Sequence, residues 1–346
     1  MKILSSTTNR GAIGAAGALT VLIAVMGCGG SGGGTPGTGG ASGTGAGATG
    51  GNSGATNTSC SLDTRLGGFA VQLVEMAGND PYVSITGGVR NGVLPSEVWQ
   101  QKGAASGACR LMVGPMLVCT TPCTNPKICA GQNQCIDSPT LQGLGEVTVT
   151  GVGTAPITIA PVQNFYSASL LNPYPPFASG AAVRVQAAGG GIPAFSLDAT
   201  GIEPLAFAGT NLTMMNGQAF AFTWTPPAAA SSARILAKVE IGHHGGVAAY
   251  IDCDLPDTGS AEIAAPLVSA LIAEGAHGFP SLSLTRRTTS SATVAAGCID
   301  FAIAAPVERG IGVCPTPSSC IVSCDPTGPA TQCPAPKTCK EDYTCG

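Results

Sequence analysis

Three groups of residues in this chain have the types and spacing to do chemistry. The first is Val25-Met26-Gly27-Cys28, at the end of an apolar run and in front of a glycine-rich tract. Gly27 is the small residue a signal peptidase needs before its cut, and Cys28 is the nucleophile there that can take a diacylglycerol. Two or three acyl chains, each worth roughly 0.8 kcal/mol per buried CH₂, hold a protein to a bilayer without a spanning segment. The second group is His243, His244 and His277 with Asp252, Asp254 and Asp257. Imidazoles and carboxylates together can close a metal site. His243 and His244 are adjacent, however, and neighbouring strand residues point to opposite faces, so Gly242-His243-His244-Gly245-Gly246 reads first as a hairpin turn. The three aspartates come near a calcium loop, but Pro256 and the missing distal Glu break the EF-hand spacing. Asp257-Thr258-Gly259-Ser260 spells the tetrapeptide of pepsin-like proteases, which need two such aspartates sharing one proton. No second Asp-Thr-Gly or Asp-Ser-Gly occurs, and the tetrapeptide reads as a polar turn between strands.

The third group is the cysteines, 15 in all. Setting Cys28 aside leaves an even number, as expected when an exported chain pairs them all in an oxidising compartment. They fall into a first set (Cys60, Cys109, Cys119, Cys123, Cys129, Cys135), a pair (Cys253, Cys298) and a last set (Cys314, Cys320, Cys324, Cys333, Cys339, Cys345). A Cys253–Cys298 bridge is expected, and pairing within the two larger sets stays open. Pro126-Lys127-Ile128-Cys129 with Cys135 matches Pro336-Lys337-Thr338-Cys339 with Cys345, and Cys119/Cys123 matches Cys320/Cys324. The two cysteine-dense segments therefore read as copies of one arrangement. Each lacks core-forming residues and must be held by disulfides; zinc on Cys119, Cys123, Cys129 and Cys135 is the rival.

The elements that must position these groups follow from composition and periodicity. Residues 1–27 have a basic start at Lys2 and Arg10 and an apolar run too short to span a bilayer, the layout of an export signal. Residues 28–59 are almost wholly Gly, Ser, Thr and Ala and cannot bury enough apolar surface to order themselves. They read as a tether with a span of roughly 30 Å. Beyond Cys60, short alternating runs separated by Gly, Pro, Asn and Asp predict an all-β fold, an antiparallel β-sandwich with two small disulfide-rich modules. Residues 60–118 supply its first strands, 119–140 the first module, 141–311 the main sandwich and 312–346 the second module. Cys109 to Val113 and Met116 to Cys119 read as a hairpin about Gly114-Pro115. Pro266 to Ala273 is the one predicted helix, and Trp224 is predicted to pack inside. Loss of Lys2 and Arg10 with the signal makes the formal charge of −4 two units more negative, and Arg286-Arg287 is the one basic doublet left. Nucleic-acid binding lacks its electrostatic footprint. No Gly-x-Ser-x-Gly elbow follows a strand and no P-loop is present, so no catalytic residue and no cofactor is assigned.

Gly107-Ala108-Cys109-Arg110-Leu111 leads into Cys-x3-Cys-x5-Cys-x5-Cys and then Gly145-Glu146-Val147-Thr148-Val149-Thr150-Gly151. With the Cys28 motif, the tether and the later stretch from Phe222-Thr223-Trp224 to Cys253 and Gly259-Ser260, this resembles the cysteine-rich surface lipoproteins of myxobacteria. The resemblance implies location and fold and adds no catalytic residue. Gly29, not Asp, follows Cys28, which points to an outer-membrane address. The sequence thus predicts a lipid-anchored envelope protein, first a non-catalytic binding module for a glycan or another envelope protein. The alternatives are an extracellular hydrolase or metal-dependent enzyme using the His243/His244/Asp252 region, or a purely structural component. If the anchor is right, Cys28→Ser moves the protein from the membrane fraction to the soluble one. The wild-type N-terminal peptide carries the mass of its acyl chains, and an unmodified peptide there removes the anchor from this reading.

Overall fold

In a computed structural model of the chain, the described residues are 57–75, 79–207, 212–229, 231–242, 248–275, 280–322, 333 and 335–340. The export signal, Cys28, nearly all of the tether, His243, His244, His277, Cys324 and Cys345 lie outside them. The described chain is all-β. Its strands begin with β1 Arg65–Val74, β2 Tyr82–Val89, β3 Gln100–Gln101, β4 Cys109–Val113, β5 Lys127–Cys129, β6 Cys135–Asp137 and β7 Val147–Thr150. There follow β8 Ile157–Ile159, β9 Pro161–Val162, β10 Phe165–Leu170, β11 Ala182–Ala187, β12 Phe195–Thr200, β13 Thr213–Met215 and β14 Phe220–Thr223. The last are β15 Arg234–Glu240, β16 Ala249–Pro256, β17 Ser260–Ile263, β18 Ser281–Val294, β19 Gly297–Gly310, β20 Gly312–Thr316 and β21 Ser319–Val322. One α-helix, α1 Ala265–Ala273, carries Pro266 in its first turn and buries Leu267, Val268, Leu271 and Ile272.

A ten-stranded sheet in the order β3-β4-β16-β15-β18-β19-β1-β2-β10-β9 forms one layer. A four-stranded sheet, β12-β11-β7-β8, lies against it. The alternation read from the sequence decides which side faces inward. On the wide sheet Phe69, Val71, Leu73, Val83, Ile85, Leu284, Phe301 and Ile303 are buried, as are Val147, Val149, Val183, Val185 and Leu197 on the small one. The layers meet at Phe69 and Phe195, whose ring centroids lie 6.3 Å apart, and at Tyr166. The Tyr166 hydroxyl accepts from the Leu144 N–H at 3.0 Å and donates to the Gly145 carbonyl at 2.9 Å, so a buried polar tip is satisfied in both roles. Gly87 is what lets Phe69 lie across β2, since a Cβ there would fall 2.1 Å from the Phe69 ring.

Several features depart from the sequence expectations. The wide sheet is not wholly antiparallel: β1 runs parallel to β19, from Arg65 opposite Cys298 to Gln72 opposite Ala304. The bridges are Cys60–Cys298 and Cys109–Cys253, so Cys253 and Cys298 are not joined to each other. Register explains both. Cys253 faces Cys109 across β16 and β4, while Cys60 precedes β1 at the end where β19 begins. The hairpin about Gly114-Pro115 is also absent. Cys109 is drawn into the sheet and Cys119 bonds to Cys129, which leaves Met116 and Val118 exposed.

In the first cysteine-rich segment, Cys119–Cys129 and Cys123–Cys135 staple the β5–β6 hairpin. All four sulfurs are thus in disulfides, not in the thiolate form that zinc needs. In the second segment Cys314 bonds Cys320 across β20 and β21, so Cys320 is not the counterpart of Cys119. Cys333 and Cys339 are also disulfide-bonded. β20 pairs with β13 and buries Val313, which makes residues 312–316 part of the body.

Beside Cys298, Asp300 accepts from the Cys60 N–H at 2.8 Å and from Arg65 Nε at 2.9 Å. Burial raises its carboxyl above the ordinary carboxylate range, against the pull of those two donors. Non-reducing peptide mapping should recover the 60–298 and 109–253 linkages, and a 253–298 linkage refutes this topology. Replacing Cys109 and Cys253 by alanine is expected to cost about 2–5 kcal/mol in denaturant unfolding.

Candidate functional site

The three aspartates singled out by the sequence are all described, and an arginine holds each one. Asp252 and Asp254 alternate along β16 and point to the outer face of the wide sheet. Asp252 accepts from Arg110 Nη2 at 3.2 Å. Asp254 accepts from Arg234 Nε at 2.7 Å and lies 3.9 Å from Arg287 Nη2. Nearby, the Lys238 ammonium sits 4.5 Å above the Tyr250 ring, and Trp99 packs 4.6 Å from that ring. This face is a mosaic of mutually neutralised charges. Among the described residues the Cys/Asp clusters close enough to share an ion are Cys119/Cys123/Cys135 and Cys60/Cys298/Asp300, and their sulfurs are in disulfides. Asp252, Asp254 and Asp257 form no such cluster there.

Asp257 sits in the turn between β16 and β17, as the Asp-Thr-Gly-Ser run predicts, and it is enclosed. Arg286 approaches it from the inner face of β18, with Nε donating to Oδ2 at 2.5 Å and Nη2 to Oδ1 at 3.2 Å. The rest of the guanidinium donates to backbone: Nη1 to the Pro204 carbonyl at 2.7 Å and the Glu203 carbonyl at 3.4 Å, Nη2 to the Thr225 carbonyl at 2.7 Å. All five N–H groups are engaged, which is what a charge only 2 % exposed requires. Trp224, buried as the sequence predicts, donates its indole N–H to Asp257 Oδ1 at 2.7 Å. This carboxylate accepts three hydrogen bonds and its side chain is 3 % exposed, so the cluster is an architectural clasp. The sequence offers a signal for Arg286 in its phase: it follows Leu282 and Leu284 at the strand spacing, in step with the buried positions.

The site with room for a ligand lies elsewhere. A groove of about 750 Å³ runs over the small sheet against the far end of the β18–β19 hairpin. Thr148, Gln186 and Ser196 stand side by side across β7, β11 and β12 on the outward face, Gln186 and Ser196 exposed and Thr148 half-buried. Phe195 lines the edge, and Ala292, Thr293, Val294 and Ala295 make the opposing wall. Glu146 is the one charged group among the lining residues. Hydroxyl, amide and phenyl groups of this kind recognise polar ligands by hydrogen bonding and stacking, within the size range of ordinary ligand pockets. The wall has a covalent brace nearby, because Cys298, three residues beyond Ala295, is bonded to Cys60. A smaller cleft of about 440 Å³, where Asn57 meets Pro226 and Thr258, has both its charges committed: Arg234 to Asp254 and Asp257 to Arg286.

Fold and site together define a disulfide-braced, two-layered all-β protein with a polar groove that carries a single carboxylate, Glu146. No protein-family model matches the chain, and no curated protein matches it. Asp257→Ala strands a buried guanidinium, and a loss of about 3–5 kcal/mol in denaturant unfolding is expected. Replacing Arg286 and Asp257 together by Met and Leu should cost far less. Equal losses in the two variants would show that packing, and not charge pairing, governs the cluster.

Proposed function

We propose that the chain is a lipid-anchored cell-envelope surface protein, tethered to the outer membrane through Cys28, and that its folded body is a non-catalytic module binding a glycan or an envelope protein. The groove over Thr148, Gln186 and Ser196 carries this reading. Its lining offers donors, acceptors and an aromatic edge but no nucleophile paired with a base, which suits recognition. The hydrolase alternative uses His243, His244 and Asp252; both histidines lie outside the described residues, and Asp252 is tied to Arg110. The cysteine-rich segments fit the same proposal as bracing for a body exposed to an oxidising exterior.

The test uses the secreted, unlipidated Cys28→Ser chain as bait against solubilised envelope proteins and glycans. Gln186→Trp fills the groove from an exposed position and leaves the inner face alone. Retention of the captured ligand should fall about tenfold or more, a loss of at least 1.4 kcal/mol. Unchanged retention with an unchanged melting temperature would take the groove out of the proposal.

A further inference from the structure

The outer face of β1, β2 and β10 differs from the rest of the wide sheet. On β4, β15 and β16 that face carries interleaved charges: Arg110, Asp252, Asp254, Arg234, Lys238 and Glu240. From Phe69 to Val74 on β1, and across β2 and β10, it carries none; the nearest ions, Arg65 and Asp300, are buried against each other at the start of β1. Ser167 lines up with Thr86 and Ala70, and Ser169 with Ser84 and Gln72. Ser167 and Ser169 are exposed, while Thr86, Ser84 and Gln72 are half-buried, so the hydroxyls and the amide reach solvent. Apolar groups close the strip at both ends. At one end Phe165, 36 % exposed, pairs with Val162 and lies over Gly88, where an added Cβ would approach its ring at 3.6 Å and the Leu141 side chain at 2.9 Å. At the other, Tyr82 pairs with Val74, and the exposed Leu171 follows β10. Gly88 and Tyr82 are six residues apart on one strand, or about 20 Å.

We propose that this strip is a second binding surface, sharing no residue with the groove, and that it takes an extended, uncharged β-1,4-linked polysaccharide. The chemistry of the strip selects that occupant. A β-1,4-linked chain is a flat ribbon with C–H faces and hydroxyl edges. The C–H faces of a sugar ring lie against the negative face of an aromatic ring, which Phe165 and Tyr82 supply at the two ends. Ring hydroxyls exchange hydrogen bonds with Ser167, Thr86, Ser169, Ser84 and Gln72 between them. An anionic glycan would find no cation on the strip, and a protein partner would find little of the apolar area that interfaces bury at their centre. The absence of charge makes binding independent of ionic strength.

The test is co-sedimentation of the whole secreted Cys28→Ser chain with insoluble β-1,4-glucan and β-1,4-mannan, with alginate as the charged control. Retention on a neutral polymer is expected, unchanged between about 50 and about 500 mM salt. Phe165→Ala and Ser169→Glu, both at exposed positions, should each weaken it about tenfold. Gln186→Trp should leave it intact, which separates this surface from the groove. The proposal is overturned by binding to neither neutral polymer, by binding to alginate alone, or by retention that neither strip variant alters while its near-ultraviolet dichroism stays native. Self-association of the wild type that Phe165→Ala abolishes would likewise replace the glycan with a second copy of the chain.

Discussion

The architecture rests on the ring closed between Cys60 and Cys298, which stand 238 positions apart in the sequence. β1 is the first strand of the body, yet it occupies an interior position, antiparallel to β2 and parallel to β19. A parallel neighbour so distant in sequence must be brought back by long-range contacts whose ordering entropy is not repaid locally. The disulfide removes much of that entropy from the unfolded chain and fixes the end at which both strands start. Gly68 then lets the strands approach: a Cβ there would come within 2.1 Å of the Asp300 carbonyl oxygen. The groove wall at Ala292 to Ala295 and the polar strip across β1, β2 and β10 both inherit their placement from this one closure.

Charge is divided between the two faces by different rules. The outer face spreads its ions in pairs, some near water, such as Arg234–Asp254, which contributes little and mainly avoids repulsion, and some with a buried member, such as Arg110–Asp252. The inner face admits one guanidinium, Arg286, and surrounds it with Asp257 and three backbone carbonyls. Such an arrangement adds less net stability than apolar packing would, and its value lies in register. It ties the β16–β17 turn, the Thr225 segment and the Glu203-Pro204 segment to one point on β18. Segments with few apolar residues of their own are thereby set in position.

Much of the strand pattern is legible in the sequence because the body is layered and each strand has one dry face. Runs such as Ala182 to Gln186 and Arg234 to Ile241 alternate cleanly, and the structure places strands at Ala182–Ala187 and Arg234–Glu240. The long β18–β19 hairpin is legible only at Ser281 to Thr285 and Ile299 to Ile303. Its remaining residues, Thr288-Thr289-Ser290-Ser291 and Ala304-Ala305, lack the apolar alternation that marks a strand; packing against the small sheet and pairing with β1 make them strand. Disulfide partners are illegible for a related reason. Cys109 and Cys253 sit in the sequence among cysteines they never meet, and cross-strand register, which no spacing rule encodes, decides the pairing. The groove residues escape notice because a polar position on an alternating strand looks the same whether it faces bulk water or a ligand.

Residues 57–60, where the described chain begins, are tied to the body by a side-chain strap and a disulfide. β18 outruns β15, which pairs with it only as far as Arg287, so among the described residues no strand pairs with 288–294 on that side. Asn57 covers that edge by accepting from the Thr289 N–H at 3.1 Å, and its amide donates to the Ser232 carbonyl. An open strand edge is a template for pairing with other chains, and a side-chain strap blunts it without adding a strand. Three residues later comes Cys60, bonded to β19 through Cys298. In a lipid-anchored protein, tension along residues 28–56 would therefore enter the centre of the wide sheet through a covalent bond. β1 would be bypassed, where hydrogen bonds alone would have to resist being stripped from the end.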